Sequence, residues 1–532
     1  MCRRDTLLGA AARGGFPVNL PHWRNGMEFR ELSTGHEYAL QRIYEMILNT
    51  NPSHAYLLEG NEIFDQKLVM CHCMGHSDFF KNNAWFRNTN RNMMDRIAEH
   101  SDYVRTLQRT KRVSPLEIEQ FLDQSFSIEG LIDMDNTTPE PIQYEVFQTK
   151  EADPLPDDYG VIDTSKMPPH IARRLNDPAV IKQLQAEERT RRDQELRMLP
   201  KHPDRDILGF IVKHSKVLKP WQRRLLGFIR EQAYYFAPQG QTKIMNEGWA
   251  VYWHQHLMNR PDIKDYSEIV QVADHNSGTL AMSPTRFNPY TVGVALFKDI
   301  KERWDKGQHG EDWNKCDDRA EKRQWDTGDK KGLEKIFDVR RRYKDTEFLH
   351  EFLTPEVARE LGLYKFSHNE KTNYYEIETR EFRAVKNQLV AAISNGGRPI
   401  IEVLDGNFKD NGELLLNHVW AYNLDLKDAH ETLKNLLFMW GKPVHLNTKD
   451  AIVEEGFDPE TSEWITEKEE EHYRITVDFV ILVNKDKEKP GIRIRYFKLH
   501  EHGAETEHFK EETEEIHEED LQLMSFQIKN DL

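Results

Sequence analysis

The stretch KIMNEGWAVYWHQHLMN, Lys243 to Asn259, constrains the fold of this chain more than any other. Its apolar residues fall at helical spacing, and Trp249, Tyr252 and Trp253 suit a packed interior. Glu247, His254 and His256 nevertheless sit among them. A buried carboxylate or imidazole costs free energy unless a hydrogen bond, an opposite charge or a metal satisfies it. The helix therefore requires polar partners inside the protein. Glu247 and His254 lie two helical turns apart and share a face beside Ala250 and Val251, whereas His256 falls on another face.

A second apolar helix raises the same demand. In LVMCHCMGHSDFF, His72 and His76 are four residues apart, which puts both rings on one helical face with about 6 Å between Cβ atoms. Two imidazoles at this spacing are the geometry of helical zinc motifs. Cys71 and Cys73 are softer donors but point to other faces. Two readings stay open: a metal pair, or core histidines bonded to carbonyls.

Composition removes several classes of function. With 73 basic against 90 acidic residues the formal charge is −17, which disfavours nucleic-acid binding. No apolar run approaches the ~18 residues of a membrane span. The opening MCRRDTLLGAAARGG is too brief and interrupted for a signal peptide. Four cysteines in 532 residues, Cys2, Cys71, Cys73 and Cys316, do not make a disulfide framework, so a reducing cytoplasm is expected.

Along the chain, GHEYALQRIYEMILNTNP, NEIFDQKLVMCHCMGHSDFF and NMMDRIAEHSDYVRTLQRT read as successive helices. Residues 134–205 form a Pro/Asp-rich excursion followed by a charged helix, and 306–331 a hydrophilic, mobile insertion. Between them runs a second apolar helical block. After Asn373 the order YYEIE, FRAVKNQLVAAISNG, PIIEVLDGN, ELLLNHVWAY, KDAHETLKNLLFMWG, PVHLNT reads βαββαβ, the ferredoxin-like arrangement. YRITVDFVILV and GIRIRYFKLH add a terminal hairpin. The expected architecture is a mainly α-helical domain over 1–370, zincin-like in character, an α+β ferredoxin-like domain over 371–500, and an acidic tail or solvated helix over 501–532.

The segment NEGWA resembles the one in which gluzincin metallopeptidases carry their third zinc ligand, a glutamate. That likeness implies Glu247 as a metal ligand beside His72 and His76. Small Gly and Ala residues would let the two helices lie close. Gluzincins place their catalytic glutamate directly after the first histidine, where this chain has Cys73, and their third ligand lies closer to the pair in sequence. The base must then come from elsewhere.

Across a longer span, PVNLPHWRNGMEF, NPSHAYLLEGN, GHSDFFKNN, QTKIMNEGWAVYWHQHLMN, FNPYTVGVALFKDI and FLHEFLTPEVARELGLYKF occur in an order that resembles the stage V sporulation protein R (SpoVR) family, over roughly residues 16–450. A helical stretch that precedes PVNLPHW in the family is replaced here, as expected of a truncated or alternatively started chain. The resemblance implies an association with sporulation and spore cortex formation or stress physiology. It also implies work alongside a PrkA-type serine protein kinase and a von Willebrand A-like protein.

Two functions follow as expectations. One is a metal-dependent amide hydrolase acting on peptidoglycan-type or peptide substrates, with zinc on His72, His76 and Glu247. Glu59, just before the His-bearing helix, is its expected base. His254 is a ligand or an orienting partner, and His275 and Tyr290 stabilise the oxyanion. The other is a non-enzymatic regulatory scaffold for the kinase and its companion, with the His/Glu cluster structural.

Overall fold

The computed structural model describes residues 1–37, 43–142, 178–179, 181–183, 185–186, 199–263, 266–268, 270–271, 277–282, 287–369, 372–458, 463–484, 487–499 and 505–516. The charged helix expected within 134–205 lies largely outside them. In chain order the first elements are α1 (Arg4–Ala11), α2 (Trp23–Glu37), β1 (Glu45–Leu48), β2 (His54–Leu57), α3 (Ile63–Asn82), α4 (Met93–Thr110) and α5 (Pro115–Ser127). Then come α6 (Ile207–His214), α7 (Pro220–Gln241), α8 (Lys243–Met258), α9 (Pro289–Asp305), α10 (Gly310–Lys315), α11 (Arg319–Gln324), α12 (Gly332–Arg342), α13 (Asp345–Phe352) and α14 (Pro355–Glu360). The remainder comprises β3 (Lys365–Asn369), β4 (Tyr374–Thr379), α15 (Phe382–Ile393), β5 (Ile400–Phe408), β6 (Glu413–Val419), α16 (Leu426–Trp440), β7 (Val444–Asp458), β8 (Glu463–Asn484), β9 (Lys487–Leu499) and β10 (Glu505–Glu515). No helix among the described residues is long and apolar enough to cross a membrane.

The chain divides into two units. The first comprises Met1–Leu122, Met134–Glu140 and Glu231–Arg398. Its core is helical, with α8 packed against both α3 and α9. Trp249 of α8 is fully buried, its ring 5.2 Å from both Phe297 and Phe337, in one cluster with Phe79, Phe86 and Phe348. Glycine sets how closely these helices approach. A Cβ on Gly75 of α3 would stand 2.7 Å from Ala250 Cα, and one on Gly248 would stand 2.4 Å from Gly293 of α9. The backbones meet there because no side chains intervene.

The N-terminus of α8 is capped from another helix. Asp345, 4% exposed, accepts Ile244 N–H at 2.8 Å and Met245 N–H at 2.9 Å. Burial pushes its carboxyl up to about 7, and the backbone N–H groups only partly offset that. The unfolded carboxyl titrates near 3.8, so between those values the folded state holds the extra proton. Stability from this group is therefore fully present below pH 4 and declines as pH rises through 7, by on the order of 4 kcal/mol. Asp345→Asn should flatten that decline in urea unfolding compared at pH 4.5 and 7.5. An unchanged slope would remove Asp345 as its source.

Two expectations for this unit are corrected. Within the first run expected to be helical, Glu45–Leu48 is a strand that pairs antiparallel with β2, Glu45 opposite Leu57. The apolar Met46, Ile47 and Leu48 run straight into the turn at Asn51-Pro52, which closes a hairpin and leaves no length for a helix. Part of the insertion at 306–331 is ordered as α10 and α11. Trp325 donates to Gly307 O at 3.0 Å, and its ring meets Trp313 at 5.7 Å.

The second unit comprises Asp123–Asp133, Pro141–Arg230 and Pro399–Leu532. Its six-stranded mixed sheet has the order β10-β9-β8-β7-β6-β5, with only β6 and β7 parallel among the pairs. A parallel pair needs a crossover, and α16 supplies it, burying Leu433, Leu436, Leu437 and Trp440. Asp425 caps its start and Gly441, at φ 81°, ends it. The hairpin expected at the end of the domain is present as β8–β9.

This is not the ferredoxin-like order. The strand YYEIE forms β4 and pairs with β3 in a separate two-stranded sheet, so it never joins the larger one. EHFKEETEE, expected as a tail or helix, forms β10 against β9. Its charges suit an exposed edge strand, where they discourage further pairing.

Candidate metal centre

The first unit brings the two demanding helices together. On α3, His72 and His76 face the same side, their rings 4.5 Å apart and perpendicular, and both are buried. Ala250 rests against Gly75, so α8 lies close enough for Glu247 to reach both rings. Glu247 Oε2 stands 3.6 Å from His72 Nε2 and 3.4 Å from His76 Nε2. The donor atoms of all three residues lie within 4.8 Å of one another. With bonds of about 2.0–2.2 Å and tetrahedral angles, neighbouring ligands of one zinc stand about 3.3–3.6 Å apart.

Hydrogen bonds at the far ring atoms decide what faces the centre. His76 Nδ1 donates to Asn246 Oδ1 at 2.9 Å, which leaves Nε2 as a bare lone pair. His72 Nδ1 meets His254 Nδ1 at 3.2 Å. With the proton on His72 Nδ1, its Nε2 is bare as well. Burial, and the neighbouring His72, push His76 down to about 4, so it is neutral at pH 7. Burial pushes the Glu247 carboxyl up, but His76, His72 and Lys243 together more than offset that and hold it below its ordinary value. The Glu247 carboxylate and the Nε2 atoms of both imidazoles thus turn toward one point. Glu247 Oε2 is buried without a hydrogen-bond partner among the described residues. A cation seated among these donor atoms would satisfy that oxygen.

The cysteines do not contribute. Burial raises both thiols, and Cys73 is pushed up to about 12, with the Glu45 carboxylate adding to the effect. A thiol must ionise to ligate well, and neither is set to do so.

The other residues expected at a site fall unequally. Tyr290, at the start of α9, stacks on His72 at 6.3 Å, and its hydroxyl engages Glu247. Asn288 positions it by capping α9, accepting Tyr290 N–H at 3.0 Å. His254 holds His72 rather than Glu247. Glu59 is exposed in the turn after β2, its backbone N–H on Cys2 O, and it does not join the grouped ligands. His275 lies outside the described residues.

Two residues escaped the sequence reading. Asn246 precedes Glu247, and its role appears only once α3 and α8 are packed. Glu45 is the more consequential. Burial pushes its carboxyl up, opposed by His72 and reinforced by Glu247, and Tyr290 also feels its charge. Glu45 thus stands beside the centre, carried by β1. A lone carboxylate opening the apolar run EMIL was the available signal.

Residues 1–398 match the family described as "SpoVR like protein", and residues 399–451 match the "SpoVR-like C-terminal domain". Over 475 residues the chain is 26% identical to a protein of Escherichia coli (strain K12) named "Uncharacterized protein YcgB", spanning 84% of this chain and 86% of that one. No solved structure matches.

Proposed function

The chain belongs to the SpoVR-like family, and from that premise we propose that it is a metal-dependent amide hydrolase centred on His72, His76 and Glu247. The observation that carries this reading is the convergence of two imidazole Nε2 atoms on a buried carboxylate oxygen, Oε2 of Glu247, that has no hydrogen-bond partner among the described residues. The mixed nitrogen and oxygen donors suit zinc. Structural zinc takes four protein ligands, whereas three leave a position open for chemistry. When bound there, such an ion lowers the pKa of water and polarises a carbonyl.

The chain's own residues supply the rest. His254 and Asn246 fix the rotation and tautomer of the two imidazoles. Glu45 takes the proton from the attacking water. Burial raises its carboxyl above its ordinary value, which makes the carboxylate a stronger base. Tyr290, held protonated by burial and by Glu247, donates to the oxyanion that forms on the substrate. The substrate class follows the family's association with spore cortex: peptidoglycan-type or peptide amides, met in the cytoplasm as precursors or recycled fragments. The four free cysteines suit that compartment.

Glu45→Gln should lower turnover of peptidoglycan fragments by about 10²- to 10⁴-fold while bound metal stays at wild-type content. Full turnover in that variant would dismiss Glu45 as the base. A second reading keeps the metal as a structural clamp in a scaffold that docks a PrkA-type serine kinase and a von Willebrand A-like protein. The exposed, charged side chains of β10 favour it, as an electrostatic contact surface. Under that reading wild type has no amidase activity, and losing the metal unfolds the helical unit.

A further inference from the structure

Apart from the metal centre, the first unit contains two cations that no carboxylate neutralises among the described residues. Arg91 precedes α4, and its Nη2 donates to the carbonyls of Phe80 at 3.0 Å and Phe86 at 3.1 Å. Its Nη1 is buried without a partner. Lys81, near the end of α3, donates to the Thr50 carbonyl. No ion pair joins either residue to an acid among the described residues, although a half-buried guanidinium normally finds one. Burial lowers both cations, and Arg91 further lowers Lys81, so the two charges are close enough to repel.

Neutral groups around them are also unsatisfied. Asn49, which follows β1 and adjoins the Thr50 that holds Lys81, is 0% exposed. Neither its side-chain oxygen nor its nitrogen has a partner among the described residues. Tyr235 of α7 is 2% exposed, takes the Asn49 backbone N–H, and feels the Arg91 charge. Its hydroxyl proton has no acceptor among the described residues. Four chain segments thus converge on a spot rich in donors and poor in negative charge. Each orphaned buried donor costs about 1–3 kcal/mol, and several together in one place call for a common acceptor.

We infer that Arg91, Lys81, Asn49 and Tyr235 form a binding site for a small oxyanion, the carboxylate or phosphate group of a ligand. Arg supplies a planar pair of donors to such a group, Lys a point charge, and Tyr and Asn neutral donors. The site uses none of the residues of the metal centre and stands whether or not that centre is catalytic.

Thermal unfolding of the full chain in inorganic phosphate, in acetate and in sodium chloride at matched ionic strength tests it. A ligand of the folded state raises Tm with each increase in its concentration. Phosphate or acetate should raise Tm above the chloride control, and Arg91→Gln should weaken the apparent affinity about tenfold or more. Lys81→Gln, at an exposed position that leaves the core intact, should weaken it as well. A response to both anions assigns a carboxylate group, and a response to phosphate alone assigns a phosphate group. Equal Tm values in all three salts, or equal shifts in wild type and both variants, would show a site filled by water only and overturn the inference.

Discussion

Glu247→Ala is expected to weaken divalent-metal binding by about a hundredfold while leaving the metal-free protein folded. A four-ligand zinc site is worth about 10–16 kcal/mol, so one ligand accounts for about 3 kcal/mol. Glu247 is also the only anionic donor in the set, and it leaves behind only two imidazoles. The sign of the second effect separates a metal site from an ordinary polar core. Without metal, the Glu247 oxygen stands 3.4 Å from His76 Nε2 with no hydrogen-bond partner among the described residues, and burying it so costs free energy. The metal-free variant should therefore unfold at the same denaturant concentration as metal-free wild type, or at a higher one. Metal should stabilise only the wild type. A metal-free variant that unfolds far more easily would mean that Glu247 is instead a structural partner of the histidines.

The second large effect is expected from Gly248→Val. The new Cβ would stand 2.4 Å from the Gly293 backbone, and neither helix can rotate a side chain out of the way. Helices α8 and α9 must separate, which costs about 3 kcal/mol or more and lowers Tm by several degrees. The same displacement moves Glu247, one residue earlier, against histidines on a different helix, so metal affinity should fall together with stability. Gly26→Ala is the control. Nothing lies within 4 Å of a Cβ there, and an exchange in α2 should leave stability unchanged or raise it by up to about 1 kcal/mol. If Gly248→Val matched that control, the close packing of α8 would not be what positions the site.

The site was more legible in the sequence than the fold around it. His72, His76 and Glu247 could be read because each is a polar group on a strongly apolar helix, and such helices declare their faces through a period of 3.6 residues. Tyr290 and His254 were visible as chemistry near that helix, although the direction in which His254 acts was not. Glu45 was missed because it lies on a strand of four residues, too short to show a period of two, within a run whose apolar spacing fits a helix equally well. Glu59 is near the His-bearing helix in sequence only, and the turn after β2 leaves it in solvent.

The sheet failed to read correctly for a different reason. Strands β5 to β9 were recognisable from their own residues, but pairing is decided between strands, and β4 pairs with β3 rather than with β5. In β10 the charged residues hid the strand, because an edge strand exposed on both faces need not alternate.

The central claim is that one divalent cation completes the His72, His76 and Glu247 set. Elemental analysis of wild-type protein, purified without chelators beside His72→Ala and Glu247→Ala, tests it most directly. The expected result is about one metal per wild-type chain, zinc foremost, and strong depletion in both variants, which would join residues 175 positions apart into one centre. Wild-type protein that is folded, metal-free and unable to take up zinc would contradict it.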